Sequence, residues 1–126
     1  RAKALEWLMF ANATLHPAYS RIFFLQRALP EGDIKKQALD AAFAAVNKLW
    51  AEVDAELATT RYICGDECSA ADILMAVIAN WGRGNHHGGI AEHVRFGNNL
   101  TRMLKAVSAR PAFQKALRDE GVTYHH

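Results

Sequence analysis

Apolar residues recur along this chain at spacings of three and four, and no segment alternates convincingly at two. Helices are therefore expected throughout, since a period near 3.6 puts such positions on one helical face. Leu5, Leu8, Met9, Asn12 and Leu15 share a first face, with Trp7 and Phe10 beside it. His16-Pro17 is expected to interrupt that helix, because proline lacks an N–H and disfavours helix at the residue before it. Tyr19, Ile22, Phe23, Gln26 and Leu29 resume the face up to Pro30. Residues 2–29 thus read as one long helix with a kink, or as two nearly collinear ones. After a turn at Pro30-Glu31-Gly32, Asp33 is a good N-cap. Leu39, Phe43, Val46, Trp50, Val53 and Leu57 then alternate steps of four and three. A helix over residues 34–58 would span roughly 37 Å at 1.5 Å per residue.

Residues 62–75 carry the sharpest local signal. A turn near Gly65-Asp66 runs into Ser69-Ala70-Ala71-Asp72, and the chain is then apolar almost without a break to Trp81. Ser-x-x-Asp before such a run is a capping box, in which Ser69 and Asp72 each satisfy a main-chain N–H of the other. Between Ala70 and Trp81 only Asp72 and Asn80 are polar. A helix apolar all round belongs inside a core. Residues 82–89 form a Gly-rich loop with His86 and His87. Leu100, Met103, Leu104 and Val107 mark another helix, capped near Gly97-Asn98. Pro111 suits the first turn of a last helix carrying Phe113 and Leu117, and Gly121 suits its stop. The expected fold is all-α, five to six helices around one buried helix.

With 126 residues, about half of them hydrophobic, the chain suits a single domain with one core. No apolar run is long enough to span a membrane. The formal net charge is +2 and the basic residues are dispersed, so nucleic acid is not implied. Two cysteines, Cys64 and Cys68, argue against a disulfide scaffold and fit a reducing compartment, hence a cytoplasmic location. The chain opens at Arg1 without Met and is helical in pattern within a few residues, as expected of a piece of a longer protein.

In order along the chain, these pieces resemble the C-terminal domain of cytosolic glutathione transferases. Ile63-Cys64-Gly65-Asp66 through Ser69-Ala70-Ala71-Asp72 is similar to that family's turn and its Ser/Thr-x-x-Asp opening of the buried helix. Ala109-Arg110-Pro111-Ala112-Phe113 is similar to its Ala-Arg-Pro element. Leu5-Glu6-Trp7-Leu8, Leu15-His16, Ile63-Cys64-Gly65 and Trp81 resemble the bacterial beta class. Two positions depart from that class: Met9 stands where relatives usually have an Asn that helps hold glutathione, and Pro17 where they often have Lys. The resemblance implies a helical domain over residues 1–126 that follows a thioredoxin-like domain absent from this chain. It also implies a cytoplasmic homodimer that attaches glutathione, as co-substrate, to small hydrophobic electrophiles. No catalytic residue is expected here, because the thiol-activating groups belong to the other domain. This chain would supply the apolar electrophile pocket and part of the dimer interface.

On that reading His16, Phe10, Ala13, Tyr19 and Trp81 are the candidate substrate-binding residues. His16, at the expected helix break, would face the cleft; the alternative is a terminal histidine bonded to a carbonyl. Aromatic residues at helical spacing are more often core than pocket. Tyr19 has the better case among them, because a hydroxyl favours a wet edge. Ser69 and Asp72 are assigned to capping, which explains them fully, and Arg110 to stabilising a helix end. Cys64 and Cys68, even with His86 and His87, lack the usual zinc spacing, so no metal is expected. The competing functional reading is a non-catalytic interaction module that docks protein partners, as the same helical domain does in translation elongation factors and tRNA-synthetase assemblies.

Overall fold

A computed structural model describes residues 1–83 and 89–125. Six α-helices are found among them: α1 (Ala2–Phe10), α2 (His16–Ala28), α3 (Asp33–Glu56), α4 (Ala70–Trp81), α5 (Asn98–Ser108) and α6 (Pro111–Glu120). A π-helical segment, Ala11–Leu15, joins α1 to α2. The described residues contain no β-strand, only an isolated bridge between Tyr62 and Gly65. The all-α expectation holds.

The expected break at His16-Pro17 takes another form. The chain stays helical from Ala2 to Ala28, and the local change is one of pitch. His16 N–H donates to the Ala11 carbonyl, five residues back, in place of the α-helical four. Proline at position 17 has no N–H to give, and its ring would collide with the carbonyl four residues earlier. The wider π turn accommodates the ring without ending the helix.

α2 and α3 pack as an antiparallel hairpin around the Pro30 turn, and α4 lies against α1, the π segment and α5. Ala71, Asp72, Met75, Ala76, Ile78 and Ala79 of α4 are buried, so α4 is the central helix, as its composition requires. Its outer edge is open to water at Ile73 and Val77, 42 % and 40 % exposed. Trp50, Tyr19, Leu15, Ile22, Ile63 and Leu100 fill the core beneath it.

The starts of α4 and α5 are both closed by side chains. At the start of α4 the capping box of Ser69 and Asp72 is present. Asp72, with no exposed surface, accepts from Ser69 N–H at 2.8 Å, Ser69 Oγ at 2.6 Å and Ile63 N–H at 2.8 Å. The third bond ties the preceding turn to the helix, which a capping box alone does not do. The cap of α5 comes from a distance: Asp54 of α3 accepts from Leu100 N–H at 2.7 Å and from the Asn99 amide at 3.3 Å. Gly97 is required beside it, because a Cβ there would lie 2.3 Å from the Asp54 carboxylate. Asn47, also on α3, holds the 93–95 segment through the His93 carbonyl at 2.9 Å and Arg95 N–H at 2.8 Å.

Candidate functional site

The π turn delivers His16 to the C-terminal end of α4. Its half-buried imidazole meets the Trp81 indole edge-on, with ring centroids 4.8 Å apart and planes at 70°. Tyr19, one turn further along α2, approaches the same indole at 6.5 Å and 82°. Three of the candidate residues therefore form one aromatic cluster.

Within that cluster Tyr19 is interior. It has no exposed surface, and its hydroxyl accepts from Trp50 Nε1–H at 2.8 Å. The wet edge expected for that hydroxyl is replaced by a buried hydrogen bond, which satisfies the phenol's need for a partner at less cost than a water-filled gap. Burial pushes the Tyr19 phenol far above its usual pKa, with the Trp50 bond and the nearby Arg83 charge opposing. Phe10 is half-buried and edge-on to Trp7 at 5.1 Å. Ala13 is exposed on the π turn. The structure thus joins His16, Trp81 and Tyr19 but leaves Phe10 with Trp7.

A second feature begins at Trp81. A groove of about 410 Å³ lies between α4, α6 and the segment after α6. Gly121, at φ 65°, ends α6 in the left-handed conformation that glycine adopts without strain, and turns the chain back over α4. The returning segment is fixed there by Asn80, whose amide donates to the Thr123 carbonyl and accepts from His125 N–H, both at 2.9 Å. Tyr124 Oη donates to the Ala76 carbonyl at 3.1 Å, and its ring stands edge-on to Phe113 at 5.5 Å. The available signal for this clasp was Asn80 itself, one of two polar residues in an otherwise apolar helix.

The two thiols are free and half-buried. Cys64 Sγ lies 3.8 Å from Ser69 Oγ, and Cys68 Sγ 3.8 Å from the Ser69 carbonyl. Burial, and then the Asp72 charge, raise the Cys68 pKa, which keeps it a thiol and a poor nucleophile. Among the described residues no cluster of three His, Cys, Asp or Glu is placed to hold a metal. His86 and His87 lie outside the described residues.

Comparison with known proteins decides the family. The profile described as "Glutathione S-transferase, C-terminal domain" matches residues 10–86, more than half of the chain. The chain belongs to the glutathione S-transferase C-terminal domain family. Over 122 residues it is 29 % identical to glutathione S-transferase GST-4.5 of Xanthomonas campestris, covering 97 % of this chain and 57 % of that protein. It is 32 % identical over 118 residues to glutathione S-transferase GstB of Escherichia coli K12, covering 93 % and 54 %. The chain thus spans about half the length of the curated relatives it matches.

Its fold is similar to that of a glutathione transferase from Xylella fastidiosa, with a TM-score of 0.81 and 25 % identity, over 98 % of this chain and 57 % of that one. A Burkholderia graminis glutathione transferase, solved with two glutathione molecules per subunit, superposes with a TM-score of 0.70 at 24 % identity, covering 93 % and 49 %. In this transferase domain the family-matched stretch runs from Phe10 through the π turn, α3 and the capping box to the end of α4, so it contains the whole His16–Trp81 contact. α6 and the segment that closes the groove lie beyond it.

Proposed function

We propose that this domain serves a glutathione transferase that conjugates glutathione to small hydrophobic electrophiles in the cytoplasm, as a homodimer. In that reading a thioredoxin-like domain preceding this chain lowers the pKa of the glutathione thiol, and the thiolate attacks the electrophilic carbon. This chain contributes positioning: an apolar wall that holds the electrophile beside sulfur and raises the fraction of reactive encounters. The observation that carries the reading is the match to glutathione transferases over more than nine-tenths of the chain. The His16–Trp81 pair supports it locally, because it puts a hydrogen-bonding imidazole beside a large apolar face at one edge of the domain. Glutathione binding by the Burkholderia graminis relative is in keeping with glutathione as co-substrate.

Leu5 and Met9, both 57 % exposed on α1, offer an apolar strip for the other domain, and Phe24 and Ile34, 62 % and 78 % exposed, a surface for a second copy. Covering such groups is what the hydrophobic effect favours.

The test is a conjugation assay with a chloronitrobenzene electrophile. The protein joined to its thioredoxin-like domain turns over, and the 126-residue chain alone does not. In the joined protein His16→Ala lowers kcat/KM about tenfold, roughly the loss of one hydrogen bond of 1.4 kcal/mol. Activity from the 126-residue chain alone, or an unaltered kcat/KM in His16→Ala, refutes the reading.

A further inference from the structure

The π turn leaves one main-chain carbonyl without a donor from its own helix. His16 N–H would close an α turn on the Asn12 carbonyl, but it donates to Ala11 instead. In a π turn the donor to Asn12 would be residue 17, which is proline and has no N–H. Asn12 is exposed, and its side-chain amide makes no hydrogen bond among the described residues. One position therefore offers an acceptor, the main-chain oxygen, beside a donor, Nδ2. Water serves both in the free domain, and a ligand displaces that water without loss only by making the same bonds. A peptide unit carries the matching pair, one N–H and one C=O. A chloronitrobenzene has no N–H to give, so the electrophile cannot use the main-chain oxygen.

The place of Asn12 on the helix narrows the ligand further. Side chains three and four residues apart share a helix face. Leu5, Met9, Asn12 and His16 follow one another at those spacings, so they form one strip. Leu5 and Met9, at its start, are exposed and apolar. His16, at its end, is half-buried and meets the Trp81 indole at 4.8 Å. In the reading proposed above, Leu5 and Met9 meet the thioredoxin-like domain and the His16–Trp81 edge meets the electrophile. Asn12 falls between the two, on the path of the co-substrate that carries sulfur from one to the other.

We propose that Asn12 binds the peptide backbone of glutathione, its Nδ2 donating to a peptide carbonyl and its main-chain oxygen accepting a peptide N–H. The assignment rests on the glutathione transferase reading and names a binding residue for its co-substrate. The test uses the protein joined to its thioredoxin-like domain. There Asn12→Ala raises the KM for glutathione about fivefold, the worth of one ordinary hydrogen bond, and leaves the KM for the chloronitrobenzene unchanged. Asn12→Asp keeps the shape but removes the donor, and behaves as Asn12→Ala; Asn12→Gln keeps the amide and recovers part of the affinity. The thermal midpoint of Asn12→Ala stays at the wild-type value, because no bond within the domain is lost. Calorimetry with S-methylglutathione, which has the peptide units but no thiol, reads the same contact without turnover and shows the same fivefold loss. Asn12-dependent binding of S-methylglutathione by a joined protein that conjugates nothing refutes the conjugation reading and upholds this assignment. Unmoved glutathione KM and S-methylglutathione affinity in Asn12→Ala, or wild-type behaviour of Asn12→Asp, overturns it. So does a lowered midpoint with unchanged affinity, which would make Asn12 a tie between the two domains. Absence of S-methylglutathione binding overturns the assignment and the co-substrate reading together.

Discussion

Replacing Asp72 by Ala removes one carboxylate and strands three donors. Ser69 N–H, Ser69 Oγ and Ile63 N–H all point at it from within 2.8 Å, and none has a second acceptor supplied by the same change. The Ser69 hydroxyl can rotate to another acceptor, so its loss counts least. The two main-chain N–H groups cannot follow, and each buried donor left unpaired costs about 1–3 kcal/mol. The sum over the two is about 2–6 kcal/mol, against a total stability of about 5–15 kcal/mol for a domain of ordinary size. At about 4 °C per kcal/mol for a domain of this size, that corresponds to a fall in Tm of roughly 8–24 °C. Ser69→Ala is the control: it leaves Asp72 bonded to both main-chain donors and costs about 1 kcal/mol, an ordinary capping loss. Chemical denaturation of wild type and both variants, with the slope checked for constancy, measures the three values. A loss in Asp72→Ala no greater than that in Ser69→Ala would show that the Ile63 bond contributes nothing, and would refute the reading of Asp72 as the tie between turn and helix.

Gly97→Ala forces the Asp54 carboxylate away from the α5 terminus, and loss of that cap with its two bonds lowers stability by about 2–4 kcal/mol, readable as a shifted denaturation midpoint. Tyr19→Phe leaves Trp50 Nε1–H without its 2.8 Å acceptor and costs about 1–3 kcal/mol; an unchanged midpoint would show that the pair is not coupled to stability. Tyr19 and Tyr124 have folded-state pKa values raised above the usual 10.0, chiefly by burial, so the unfolded chain loses those protons first. Their contribution is complete below pH 10 and is lost above it, at about 1.4 kcal/mol per pH unit for each phenol; a midpoint flat between pH 10 and 11.5 would contradict this. Pro17→Ala restores an N–H and relieves the collision that the π turn avoids, so the His16–Trp81 contact weakens, seen as a change in Trp81 emission against an unaltered helical content.

The helices of this protein were legible one by one. Spacing within a dozen residues marks α3, the Ser69–Asp72 box starts α4, Pro111 opens α6 and Gly121 closes it, because a helix is made of bonds between residues four apart and its ends are capped by neighbours. The same locality explains what remained hidden. Pro17 signals a disturbance, yet whether the chain breaks or widens into a π turn depends on what holds the two halves in line, here the packing of α2 on α3 and of the π segment on α4. Tyr19 looks amphipathic in sequence and is buried because Trp50, 31 residues away, offers it a donor. Asp54 caps α5, Asn47 holds the 93–95 segment and Asn80 clasps the returning chain, each across more than 40 residues. Side chains that satisfy a distant backbone have no local signature, since their partners exist only once the helices have packed. Sequence alone determined which segments are helical and to which family they belong. Tertiary structure decided which polar side chains work as remote caps, and that His16 and Trp81 meet at the edge of a groove.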